Sequence, residues 1–200
     1  MSDDPMARED EQAKLRSYLA GQSAKLSAGE IRQRIEDAAD EFFGAVGGVT
    51  DAAAHTPPTA GEWSVAEILD HVTLTLEDAT AIMRTLAAGK PARALRDHRP
   101  RPAEAAASVA ELLARLRRNQ AALSDFLAAC STEPHTFGTA RPGRRGPSPA
   151  TPGGAHYRRV AEPVFGEINW KGYALILRLH YRDHAQQVRT TLAAVTPGAG

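Results

Sequence analysis

The sequence predicts an all-α protein, a four-helix bundle with one long connection between its third and fourth helices. Three observations carry that expectation. Four segments of roughly twenty residues or more repeat their apolar residues at helical spacing. Three of those four open on a serine followed three residues later by a glutamate, the spacing of a capping box. Strand-like alternation is almost absent, while glycine and proline gather between the periodic segments.

In chain order, residues 1–26 read as a polar N-terminal extension, in which EDEQAKLRSYLA supplies an extra helical turn or two. The bundle is expected over residues 27–196. Its first helix, about 27–46, is capped by Ser27 and Glu30 and lines up Ile31, Ile35, Ala38, Phe42 and Ala45. A breaker-rich connection with Pro57, Pro58 and Gly61 leads to the second helix, at about 64–88. There Ser64 and Glu67 form the cap, and Trp63 is placed to staple onto Ile68. The apolar stripe is Val65, Ile68, Leu69, Val72, Leu76, Ala79, Met83 and Leu86, and Gly89 with Pro91 ends the helix.

The third helix is expected over about 104–130. Ser108 and Glu111 can cap the run of Leu112, Leu113, Leu116, Leu123, Phe126 and Leu127, and the preceding RPAEAAA can extend it backward. Residues 132–167 are rich in proline and glycine and hold no convincing helix or strand. A connection of that length is commonly a functional lid or disordered. The fourth helix is expected over about 169–195, closed by Pro197 and Gly198.

Composition narrows the function classes. Lysine plus arginine and aspartate plus glutamate balance at 24 each, so nothing global points to nucleic acid or an anionic membrane. Loop arginines with no interleaved aromatic platform apart from Tyr157 argue further against nucleic acid. No run approaches the roughly 18 apolar residues of a spanning helix. The acidic start, MSDDPMAREDEQAK, lacks the apolar core of a signal peptide. The single cysteine, Cys130, excludes an internal disulfide framework and fits a reducing cytoplasm. The expectation is a soluble, cytoplasmic domain with a small-molecule ligand.

Chemistry then rests on the histidines. In LRLHYRDHAQQV, His180 and His184 stand four apart, so their rings stack on one side of a helix. His184 falls within the apolar stripe of Tyr173, Leu177, Val188, Leu192 and Val195, and His180 lies near its edge. Two buried imidazoles without partners cost a few kcal/mol. Either each is a core histidine bonded to a neighbouring helix, or the pair binds a metal. His71, on the flank of the second helix, can look into the crevice between helices and supply a third imidazole. Three neutral imidazoles suffice for zinc or nickel and leave positions open. Glu67, one turn before His71, either completes its cap or supports the metal. His55, His98, His135 and His156 lie in proline- and glycine-rich connections and read as solvated loop residues.

At these residues the chain resembles a known family. GEWSVAEILDHV (61–72) and INWKGYALILRLHYRDHAQQV (168–188) are similar to the second-helix and last-helix signatures of the DinB-like superfamily of metal-binding bundles. The H-x-x-D-H-x-x-Q ending is carried by His180, Asp183, His184 and Gln187. The resemblance implies an up-down-down-up bundle, often a homodimer, with a divalent metal held by His71, His180 and His184. Some relatives are S-transferases or maleylpyruvate isomerases that use a low-molecular-weight thiol such as mycothiol or bacillithiol.

Further readings follow. Asp183 can orient a ligating imidazole or stand as an exposed charge beside Arg182. Arg141, Arg144, Arg145, Arg158 and Arg159 form either an anion-binding lid or a solvated loop. Tyr173 and Tyr181 bracket the histidines as pocket or core residues, and Cys130 reads as either a reactive thiol or a buried helix-end cysteine. No residue stands out as a covalent nucleophile. Three classes remain: a metal-dependent thiol S-transferase or isomerase, a non-catalytic metal- or ligand-binding stress-response bundle, and a structural bundle with core histidines.

Overall fold

In the computed structural model, residues 5–131, 159–162 and 165–196 are described. The elements are α1 (Pro5–Lys25), α2 (Ala28–Val46), α3 (Asp51–His55), α4 (Val65–Ala87), α5 (Pro102–Ala105), α6 (Val109–Ser131), β1 (Val160–Glu162), β2 (Gly166–Ile168) and α7 (Trp170–Val195). The expected four-helix bundle is made by α2, α4, α6 and α7. Both α2 and α4 pack against both α6 and α7, closing a ring around one core.

Side-chain pairs fix the helix directions. Lys171 Nζ donates to the Leu26 carbonyl before α2, and Arg189 reaches Glu41 near its end, so α2 and α7 are parallel. Residues just before α4 share a groove with Thr190 and Ala194 near the end of α7, so those two are antiparallel. Arg115 approaches Asp70 at 3.6 Å, and Arg84 donates to the Ala122 carbonyl at 3.0 Å, so α4 and α6 are parallel. Phe126, late in α6, meets Trp170 at the start of α7 at 6.0 Å between rings. The order is up-down-down-up.

Capping chemistry sets the starts. Ser27 with Glu30, and Ser64 with Glu67, make both reciprocal bonds of a capping box. Ser108 and Glu111 make the same pair, and there the sequence expectation needs correction. A cap marks a first turn, so the backward extension of the third helix is a separate helix, α5, with Pro102 at its first position. The N-terminal extension also differs from expectation. Its helix α1 has 21 residues and packs on α7, where Leu19 is buried.

The expected stripe of α4, from Val65 to Leu86, is buried throughout. So are Asp70, His71, Thr73, Thr75, Asp78 and Thr80, which the stripe left out. For Asp70, His71 and Asp78 the reason is topological. Because α4 and α6 are parallel, the chain must return along all 23 residues of α4, about 35 Å. Residues 90–101 make that return as a largely extended strap, and two buried carboxylates hold it. Asp78 accepts from Arg93, from the Arg96 N–H at 3.4 Å and from His98 Nε2 at 3.0 Å. Asp70, fully buried, accepts from the Arg101 N–H and guanidinium, each at 2.8 Å. These partners keep the Asp78 carboxyl below its ordinary range, although burial pushes it upward.

No strand was expected over 132–167, yet β1 and β2 form an antiparallel hairpin, pairing Val160 with Ile168 and Glu162 with Gly166. Three-residue strands are too short for alternation to show in a sequence. Glu162 ties the hairpin inward, accepting from the Leu95 N–H of the strap at 2.7 Å and from the Tyr173 hydroxyl. The hairpin also seats on the first turn of α7. A Cβ on Gly172 would stand 3.0 Å from Ile168 Cβ, so a larger residue there would make the hairpin give by a few tenths of an ångström. Among the described residues no helix is long and apolar enough to cross a membrane.

Asp70 links strap and helix by charge-assisted bonds, each of the order of 1.5–3 kcal/mol. Asp70→Asn is therefore expected to lower the unfolding free energy by about 2 kcal/mol in urea titration, with an unchanged denaturant slope. An unaltered midpoint would contradict the strap as a stabilising element.

Candidate metal centre

His71 lies in the second turn of α4, on the side that faces α7 and the strap. His180 and His184 lie one turn apart in the middle of α7. The structure brings all three together: His180 Nε2 is 3.1 Å from His71 Nε2 and 3.2 Å from His184 Nε2. Among the described residues these three form the group able to hold an ion, with ligand atoms within 4.8 Å of one another. Two imidazole nitrogens bound tetrahedrally at about 2.0–2.1 Å from one zinc stand about 3.3 Å apart. The two spacings to His180 fit that demand, and the His71 and His184 ligand atoms lie within 4.8 Å of each other.

Hydrogen bonds on the far sides of the rings set the tautomers. His71 Nδ1–H donates to the His98 carbonyl at 2.6 Å, and a carbonyl can only accept. His184 Nδ1 pairs with Gln187 Oε1 at 2.7 Å. Both rings therefore turn an unprotonated Nε2 toward His180. The Nε2 of His180 can donate to only one of them, so at least one of these lone pairs is left without a donor. A cation at their meeting point satisfies all three, and that is the fit the donor set offers.

Burial keeps the rings uncharged. It lowers His71, and it lowers His180 well below the ordinary imidazole value, with His184 and His71 adding like-charge repulsion. Burial likewise pushes His184 down to about 4. Neutral imidazole is the form that binds a metal.

Around the trio, Trp63 covers His71, with ring centroids 4.9 Å apart. Gly61, at a φ of 89°, makes the turn that brings Trp63 there. Trp63 and Gln187, which touch His71 and His184, also line an open groove of about 630 Å³. Pro58, Thr59, Glu62 and Thr190 complete its walls between the 58–63 turn and the end of α7.

The other residues read from the sequence lie as follows. The Glu67 carboxylate accepts from the Ser64 N–H at 2.8 Å, within its cap. Asp183 is exposed. Tyr173 and Tyr181 are buried, donating their hydroxyls to Glu162 and Gln120. Arg159 is exposed, whereas Arg141, Arg144, Arg145, Arg158, His135 and His156 lie outside the described residues.

Two histidines read as solvated loop residues make specific contacts, although His55, at the end of α3, is exposed as expected. His98 is half-buried in the strap, its side chain on Asp78 and its carbonyl on His71. His55 joins the Asp51 carbonyl at 2.7 Å to those of Ala105 and Ala107 at 3.0 and 3.1 Å, and the Asp51 bond raises its pKa most. Neither role was visible in the sequence, because most of the partners are distant in the chain and are brought near only by the fold.

The three lowered imidazoles give a pH prediction. Their folded-state values lie below the roughly 6.5 of an unfolded histidine, so as the pH falls the unfolded chain takes up protons first. The metal-free protein is expected to lose stability from about pH 7 toward about pH 4. His184→Gln should lose it less steeply, read as urea midpoints at about pH 7, 6 and 5. Equal slopes for the two proteins would contradict the half-buried, neutral His184.

Comparison with known proteins bears on the fold and the family. A solved structure, that of TT2238, a four-helix bundle protein, is similar over 82% of this chain and 99% of that chain, with a TM-score of 0.55 and 19% identity. No curated protein matches. The sequence profile of the DinB superfamily matches residues 34–188, which span α2 to the later half of α7 and include all three histidines. The chain belongs to the DinB superfamily.

Proposed function

We propose that the protein is a divalent-metal-dependent enzyme acting on a small molecule, a thiol S-transferase or related isomerase, with His71, His180 and His184 as its ligands. The observation that carries this reading is the convergence of three Nε2 atoms, two of them on rings whose Nδ1 is already committed. Zinc suits such imidazole ligands, with nickel next. Three protein ligands leave a position open, unlike the four of a closed structural site. A divalent ion held there would make a bound thiol or water easier to deprotonate and so would supply a nucleophile near neutral pH.

The chain's own contribution is positional. Gln187 and the His98 carbonyl orient two ligands. Trp63 shields His71 from water, and the groove it helps to line offers the electrophilic partner a place beside the trio.

One observation favours a second reading, a metal-binding bundle without catalysis. Glu67, Tyr173 and Tyr181, which the sequence placed near the trio, are engaged elsewhere. Glu67 serves its cap, and burial raises both Tyr173 and Tyr181, which are hydrogen-bonded to Glu162 and Gln120.

Elemental analysis of untagged protein is expected to find about one zinc or nickel per chain, lost in folded His71→Ala, His180→Ala and His184→Ala. Loaded protein should also consume low-molecular-weight thiols in the presence of a chromogenic haloarene. Metal without thiol turnover would favour the second reading. No metal after incubation with zinc or nickel would overturn both.

A further inference from the structure

We propose that Asp78 and His98 are positioning residues for the metal centre, forming a clamp that keeps His71 in the tautomer whose Nε2 is free. The proposal rests on reading the trio as a metal site. Helix α4 grips one strap residue at two points. His71 Nδ1–H donates to the His98 carbonyl at 2.6 Å, and Asp78, seven residues further along α4, accepts from His98 Nε2 at 3.0 Å. Residues seven apart share a helix face, so one face of α4 holds both the backbone and the side chain of the same residue.

The anchor is itself fixed. Asp78 is buried and is further held by the Arg93 guanidinium and the Arg96 N–H. On the other side of His98, Arg101 is fastened to Asp70, the neighbour of His71 in sequence. The strap therefore cannot slide along α4 without breaking bonds at both acids. A neutral imidazole lacking such an acceptor is free to carry its proton on Nε2. In His71 that proton would point at His180 and remove a ligand lone pair. The clamp thus makes docking of the strap and readiness of the metal site one event.

The test compares His98→Ala with His98→Gln, since glutamine keeps a donor near the position of the ring Nε2. Zinc affinity is read by competition with a chromophoric chelator, and the His71 tautomer of the metal-free protein by imidazole nitrogen NMR. In His98→Ala, zinc binding is expected to weaken about tenfold or more. His71 is expected to move from the Nδ1–H form toward a mixture, and His98→Gln to restore both properties. A His71 tautomer unchanged in His98→Ala, or an equal loss of zinc affinity in both variants, would overturn the clamp. Failure of the wild type to bind zinc would instead sink the metal reading, while the tautomer comparison would still decide the clamp.

Discussion

Because α4 and α6 lie side by side and run the same way, the chain between them has to travel back along the whole of α4, and most features of the site follow from that return. The strap covers the face of α4 that carries Asp70 and Asp78 and so buries carboxylates that would otherwise meet water. Buried carboxylates are tolerable only when paired, and Asp70 and Asp78 find their partners in the strap itself. The same return delivers the His98 carbonyl to His71. Topology, burial and the orientation of a ligand are thus consequences of one packing choice.

Burial at the centre of the bundle acts in two directions. It keeps three imidazoles neutral at physiological pH, the form a metal requires, and it makes any unmatched lone pair among them costly. Without an ion, the trio is a local weakness in an otherwise well-satisfied interior. With one, the same nitrogens would become a link between α4 and α7, and binding would add to the stability of the folded state. That trade is characteristic of functional sites, which depart from the packing logic of their surroundings.

Much of the fold was legible in the sequence because its signals are local. The capping pairs at Ser27, Ser64 and Ser108, and the stripes of Ile31, Ile35 and Phe42 or of Leu112, Leu116 and Leu123, depend only on neighbours along one helix. The pairing of His180 with His184 is equally local. His71 was reached by asking which flank faces a crevice, a question with a tertiary answer. What escaped was non-local. His98 sits in a stretch with no periodicity, and its importance lies in a backbone carbonyl that any residue type possesses. Glu162 and the hairpin escaped for a related reason, since strands of three residues leave no pattern. The length of α1 was hidden by its polar composition, its burial resting on a few residues such as Leu19.

The central claim is that three imidazoles from two helices meet on one divalent ion. X-ray absorption at the metal edge of zinc-loaded protein tests it most directly. The account predicts a first shell of nitrogen or oxygen at about 2.0–2.1 Å with outer-shell scattering from three imidazole rings, reduced to two in His71→Ala. A shell without imidazole scattering, or one unchanged by His71→Ala, would contradict it.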